Sequence, residues 1–210
     1  MGRPPQGRIF LNRLRERAVA AGVKHVDVRQ RHGALEETLA EQEQGVRLLV
    51  LGCRGEAAQT SQRDLGRNVE AVIRALHKPI LTVTESFTEP KRVMIAFDGS
   101  TITRRGVEMV AVSPLFRGLP IYLLMSGKES QDAPKQLQWA KTTLEAAGFE
   151  VTAVLIPGDA QSVIAKTVKE QSVDMLIMGA FGHSPLRSLL LGSKTADLLR
   201  SSTIPTLLLR

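Results

Sequence analysis

Between residues 91 and 210, two apolar patterns alternate. Short, nearly continuous apolar runs, RVMIAF (92–97), LPIYLLM (119–125), FEVTAVLI (149–156), MLIM (175–178) and TLLL (206–209), are separated by longer polar stretches. Within the longer stretches apolar residues recur at helical spacing, as at Leu137, Ala140, Leu144 and Ala147. The first pattern predicts buried strands and the second predicts helices packed on one face. Ser100, after Asp98 and Gly99, is a suitable N-cap for a helix running to about Ser113. Gly148 is placed to stop a helix over 131–147, a third helix surrounds Val163, Ile164, Thr167 and Val168, and a fourth starts at Ser193. Continuous apolar strands alternating with helices predict an α/β fold whose parallel sheet is covered on both faces.

The first part of the chain repeats these landmarks in order. VKHVDV after Gly22 matches FEVTAVLI after Gly148, VRLLVLGCRG (46–55) matches VDMLIMGAFG (173–182), and KPILTV (78–83) matches IPTLLL (204–209). The spacings are steady: Gly22 to Gly148 is 126 positions, Gly55 to Gly182 is 127, Gly66 to Gly192 is 126 and Pro79 to Pro205 is 126. The expected organisation is two copies of one unit, a partial one over 1–87 and a complete one over 88–210. Residues 91–147 supply 57 positions before Gly148 while only 21 precede Gly22, so the first copy lacks about 36 residues, two strands and a helix. The expectation is an N-terminally shortened product, with MGRPPQ a start without apolar period.

Composition excludes several classes. No apolar run approaches the roughly 18 to 20 residues of a membrane span, and the N-terminus has no apolar h-region ahead of a small-residue cleavage site. A cytoplasmic protein is expected. A single cysteine, Cys53, builds neither an internal disulfide nor a metal site by itself. The net charge of +7 divides into 14 basic and 10 acidic residues over 1–87 and 14 and 11 over 88–210, without a concentrated basic tract. Aromatic residues make up 4%, which leaves few stacking platforms for a nucleic acid strand, and a diffuse positive field favours small anionic ligands about as well as polymers; no nucleic-acid partner is expected. His25, His32 and His77 show no metal-ligand spacing. Trp139 and Leu137 read as core, and Glu36 and Glu37 as first-turn acids of a helix.

Candidate chemistry concentrates after the fourth strand of the complete copy. Gly179, Gly182 and Gly192 with Ser193 form G-x2-G-x9-G-S, and Thr195 follows. In parallel sheets ligands bind beyond the carboxyl ends of strands, and a glycine-rich turn into a helix presents backbone amides to an anion. Glycines at a strand end are also ordinary turn residues. Gly192-Ser193-Lys194-Thr195 is not a Walker A ending, because serine separates the glycine from the lysine. No G-x-S-x-G nucleophile elbow occurs, and Ser100, Asp98 and His183 have no spacing that makes a hydrolytic triad.

The strand ending in Asp98-Gly99-Ser100, the five alternating strands, and Gly179-x2-Gly182-x9-Gly192-Ser193 before the last helix resemble the nucleotide-binding universal stress protein family. The resemblance implies a tandem member with two open parallel sheets of order 3-2-1-4-5, the first incomplete. It implies ATP as ligand with Mg2+ beside the triphosphate. Asp98 and Ala96 would contact the nucleoside, Gly179, Gly182, Gly192 and Ser193 the phosphates, with Thr195 nearby. The first copy has Arg67 where the second has Ser193 and lacks Asp-Gly-Ser, so no nucleotide is expected there. Its remaining third strand would have lost its neighbour, leaving that unit strained, swapped or poorly ordered. The resemblance further implies pairing of the two units, or a homodimer, through the last strands, Ile80 to Val83 beside Thr206 to Leu209. The expected role is regulatory or protective in a stress response, with at most slow ATP hydrolysis. A nucleotide-independent interaction scaffold is the alternative. An adenylyl-transfer or ATP-pyrophosphatase enzyme, a third class, would carry S-G-G-x-D-S at the first strand's end, where this chain has Phe97-Asp98-Gly99-Ser100.

Overall fold

A computed structural model describes residues 6–52, 67–84, 86–127, 131–180 and 202–210, with residue 6 and residues 67–70 described in backbone only. In chain order the helices are α1 (Gln6–Ala20), α2 (Leu35–Gln42), α3 (Arg67–Ala75), α4 (Thr101–Val112), α5 (Ala133–Ala146) and α6 (Ala160–Glu170). The strands are β1 (Leu49–Gly52), β2 (Ile80–Val83), β3 (Val93–Phe97), β4 (Ile121–Gly127), β5 (Val151–Pro157), β6 (Met175–Gly179) and β7 (Thr206–Leu209).

The described strands form one seven-stranded sheet in the order β1-β2-β7-β6-β3-β4-β5, so the two open sheets expected, with pairing through the last strands, are continuous across that pairing. All neighbouring strands run parallel except β2 and β7, which are antiparallel. The physical reason for a single sheet is that antiparallel seam. Two sheets that each ended in β2 or β7 would expose a row of unpaired backbone groups, and joining them removes both edges. The seam is symmetric: Ile80 opposes Leu208, Leu81 opposes Leu207, and Thr82 opposes Thr206. With a repeat of 126, each pair is the mirror of the other about Leu81 and Leu207. The Thr82 hydroxyl donates to the Thr206 carbonyl at 3.1 Å across it.

The two parallel flanks share a register as well. Leu49 pairs with Ile80 and Leu176 with Thr206, and the Leu49 and Leu176 amides donate to the Pro79 and Pro205 carbonyls, each at 3.0 Å.

Strands β3 and β7 are buried along their whole lengths, as near-continuous apolar runs require of a sheet covered on both faces. On one face Val107 and Val110 of α4 and Leu137, Ala140 and Leu144 of α5 pack against Val93, Ile95, Phe97, Leu123 and Ile177. On the other, Ile164 of α6 and Val72, Ile73 and Leu76 around α3 pack against Met94, Ala96, Leu124, Leu176 and Leu208. Gly106 is where α4 crosses β7, since a Cβ there would lie 2.1 Å from Leu209 Cδ1.

One expected strand is absent. VKHVDV (23–28) carries no strand, although its counterpart forms β5. Its apolar pattern survives, with Val26 and Val28 half-buried between exposed neighbours. No described strand lies beside it to take its backbone hydrogen bonds, and a strand exists only through those bonds.

Candidate functional site

Strands β3, β4 and β5 progress to one side of the sheet, after which the chain returns to place β6 on the opposite flank of β3. The carboxyl ends of β3 and β6 therefore border the point where strand order reverses, the location at which open α/β sheets hold ligands. Asp98 follows β3 and Gly179 ends β6.

The Asp98 turn is built by its own neighbours. One carboxylate oxygen, Oδ1, accepts from the Ser100 amide at 3.0 Å and from the Thr103 hydroxyl at 2.7 Å. Ser100 caps α4, its hydroxyl accepting from the Thr103 amide at 3.3 Å. Gly99 between them has φ +75°, a left-handed conformation in which a side chain is strained. The Gln136 amide occupies the space a Cβ would take, so a side chain at Gly99 would also displace Gln136. Behind the turn the Arg104 Nε donates to the Gly99 carbonyl at 3.1 Å. The Arg104 guanidinium lies over the Trp139 ring at 4.6 Å from its centroid, and Trp139 stacks on Phe97 at 6.3 Å. Trp139 is half-buried rather than core, since its ring bridges the hydrophobic layer and a surface cation. Leu137 is buried.

Gly179 has an explanation that its place in a glycine-rich motif does not reveal. Its φ is not positive. A Cβ at Gly179 would approach Thr103 Cγ2 at 3.2 Å and Ile102 Cγ2 at 3.6 Å. Glycine here lets the first turn of α4 close onto the end of β6, which brings a capped helix N-terminus to the reversal point. Ala96, 3% exposed, pairs with Leu124 on one side and Met178 on the other, and its methyl belongs to the core. Gly182, Gly192, Ser193 and Thr195, with His183, Cys53 and Gly55, lie outside the described residues.

Two contributors escaped sequence reasoning: Thr103 and Gln136 reach the turn through helix packing. Among the described residues no group of three His, Cys, Asp or Glu is placed to hold a metal ion, and no helix is long and apolar enough to cross a membrane.

Residues 112–210 match the model of the universal stress protein family. The chain is 36% identical over 192 residues to the universal stress protein Slr1230 of Synechocystis sp., covering 90% of this chain and 67% of that protein. It is 30% identical over 86 residues to the universal stress protein MJ0577 of Methanocaldococcus jannaschii, covering 41% of this chain and 53% of that one. A universal stress protein from Archaeoglobus fulgidus superposes with a TM-score of 0.78 at 18% identity, covering 97% of this chain and 75% of that structure, so it has the same fold. On the strength of the extended match to the Synechocystis protein, the chain belongs to the universal stress protein family.

Proposed function

We propose that the chain binds ATP at the carboxyl ends of β3 and β6 and acts as a nucleotide-responsive regulatory factor in a stress response. The observation that carries this reading is the convergence of Asp98, the capped N-terminus of α4 and the end of β6 on the reversal point. Asp98 is held in one orientation by two donors, which suits it to accept from a nucleoside hydroxyl. Gly179 begins the G-x2-G-x9-G-S motif, whose amides, with the Ser193 and Thr195 hydroxyls, are assigned to the polyphosphate. Mg2+ is assigned to the phosphate oxygens, in keeping with its habit of binding through substrate phosphates rather than an all-protein cage. The described residues of the site bind and orient, and no general base declares itself in the sequence, so hydrolysis is expected to be slow at most. The complete unit over 88–210 carries the site, and the unit over 1–87 is its partial, nucleotide-free counterpart.

The test is titration with MgATP by calorimetry and thermal shift. A ligand bound only to the native state adds RT ln(1 + [L]/Kd), about 2.7 kcal/mol at 100 Kd. Gly182→Val is expected to abolish the shift while leaving the far-ultraviolet spectrum unchanged. No shift with the unmodified chain at millimolar MgATP would instead support a nucleotide-independent scaffold.

A further inference from the structure

Asp98 stands between Phe97 and Gly99, and each of these neighbours is held by a side chain from outside the turn. The Phe97 ring is stacked by Trp139 of α5, with centroids 6.3 Å apart and planes at 28°. The Gly99 carbonyl accepts from Arg104 Nε at 3.1 Å. The two holders meet, because the Arg104 guanidinium covers the Trp139 ring at 4.6 Å from its centroid. Phe97, Trp139, Arg104 and Gly99 therefore make a circuit of contacts that the backbone closes through Asp98. Charge pairing does not account for the arginine, since among the described residues its guanidinium forms no ion pair. Capping does not account for it either, because Ser100 caps α4. Arg104 and Trp139 are both half-buried, and a cation over a ring at a partly exposed site adds little stability. What the circuit fixes is geometry. The Ser100 amide and the Thr103 hydroxyl orient the Asp98 carboxylate within the first turn of α4. The circuit ties that turn to the end of β3 and to α5, and it anchors the carbonyl of Gly99, a residue with φ +75° and no side chain of its own to hold it.

Resting on the ATP-binding reading, we infer that Arg104, braced on Trp139, is a positioning residue for Asp98: it acts through the Gly99 carbonyl to hold the turn in the one conformation from which the carboxylate meets the ligand. Binding groups have to be kept within about 0.5 Å of their productive geometry, and a turn ordered in advance spares the ligand the cost of ordering it. Lysine does not fill this role. Its ammonium is a compact point charge, whereas the guanidinium is a planar fork that covers the indole while its Nε donates to the carbonyl. The role is also confined to one end of the site. The circuit belongs to β3, α4 and α5, whereas Gly179 and the motif assigned to the phosphates leave β6.

Arg104→Lys keeps the charge and loses the fork, so it separates positioning from the general attraction of an anion. Affinities for ATP, adenosine and inorganic tripolyphosphate are measured by calorimetry on the full chain, on Arg104→Lys, on Asp98→Asn and on the double variant. Arg104→Lys is expected to bind ATP and adenosine more weakly by the same factor, roughly three- to tenfold, with tripolyphosphate unchanged. Because Arg104 acts through Asp98, the two substitutions are expected to be non-additive: in the Asp98→Asn background Arg104→Lys weakens adenosine by less than about twofold more. A residue that merely stabilised the fold would weaken all three probes or none. Ligand-free Arg104→Lys is expected to melt within about 2 to 4 °C of the unmodified chain. Should it fail to fold, Arg104→Gln with adenosine, an uncharged probe, carries the same comparison with Asp98→Asn. Unaltered adenosine affinity in Arg104→Lys overturns the inference, as does equal weakening of tripolyphosphate or a full additive loss in the double variant. If the unmodified chain binds none of the probes, the ATP-binding reading fails and Arg104 loses its role with it. If the unmodified chain binds ATP and Arg104→Lys binds it equally well, that reading stands and the Arg104 inference alone falls.

Discussion

β1 and β6 occupy equivalent places 127 positions apart, and the two have unlike fates. Each pairs in parallel with the strand beside the seam in the same register. β6 has β3 on its other side and is buried from Met175 to Met178, whereas β1 is the end of the sheet and alternates half-buried with exposed positions. Ile177 is 0% exposed and its counterpart Val50 is 54% exposed. The residues are nearly interchangeable in chemistry. What separates them is the neighbour, so the apolar pattern of a strand states what the strand is able to bury and not what it does bury.

The largest expected effect follows from that pair. Ile177→Ala leaves a cavity beneath α4 and α5 and is expected to cost about 2 to 5 kcal/mol in urea denaturation. Val50→Ala, at the matching position, is expected to cost under about 1 kcal/mol, because little of its surface is withdrawn from water. Equal losses would mean that β1 is covered in solution by something that buries Val50 as β3 buries Ile177.

This contrast also explains what was legible in the sequence. The strands and helices of 91–180 are readable because the apolar runs are short and nearly continuous and the helices have start or stop residues, such as Ser100 before α4 and Gly148 after α5. VKHVDV keeps the apolar periodicity of its counterpart β5 but forms no strand, in keeping with the expectation that this segment has lost its neighbour, because periodicity reports a face and not a partner. Pairing β2 with β7 is implied by the family resemblance, but two sheets joined at that seam are one sheet, a consequence of backbone geometry that no residue encodes. At the site, Asp98 and Gly99 announce themselves as a turn. The grip of Thr103 and Gln136 on that turn depends on how α4 and α5 settle on the sheet.

Local structure, by contrast, is indifferent to context, and the next prediction tests this. Gly22 after α1 and Gly148 after α5 have φ of +89° and +88°. The bonds match one for one: Gly22 and Val23 amides to the Val19 and Ala18 carbonyls, Gly148 and Phe149 amides to the Glu145 and Leu144 carbonyls. A Cβ at either glycine meets nothing within 4 Å, so only the left-handed backbone resists substitution. The intrinsic penalty of Gly→Ala is thus the same at both, about 1 kcal/mol. Its appearance differs. α5 buries Ala133, Leu137, Ala140 and Leu144, so Gly148→Ala is expected to lower global stability by that amount. Phe10 and Leu14 of α1 stay exposed, so Gly22→Ala is expected to fray α1 in hydrogen exchange and to leave the denaturation midpoint nearly in place. A full loss of global stability in Gly22→Ala would show that α1 unfolds with the core.

The smallest effect concerns the turns that lead into the seam. Before β7, the turn is closed locally, with the Ser202 hydroxyl donating to the Ile204 carbonyl at 2.8 Å and accepting from the Ile204 amide at 3.4 Å. Before β2, the matching turn is closed from a distance by Glu43, whose carboxylate accepts from the Lys78 amide at 2.6 Å and from the His77 amide. Burial pushes the Glu43 carboxyl upward, but the bonds from the Lys78 and His77 amides, with the His77 ring and its charge, outweigh it and hold the pKa below its ordinary 4.5. A carboxyl depressed in the folded state stabilises at pH above its unfolded value, and that contribution is lost as pH falls through the folded value. Stability of the β2 end is therefore expected to be full near neutrality and to decline on acidification below about pH 4.5, while the hydroxyl-closed turn before β7 has no such dependence. Glu43→Gln is expected to lose about 1 kcal/mol or less at pH 7 and to flatten the decline between pH 5 and 3, read from denaturation midpoints across that range. A variant with the same slope as the unmodified chain would assign the acid sensitivity to other carboxylates and leave the two turns energetically alike.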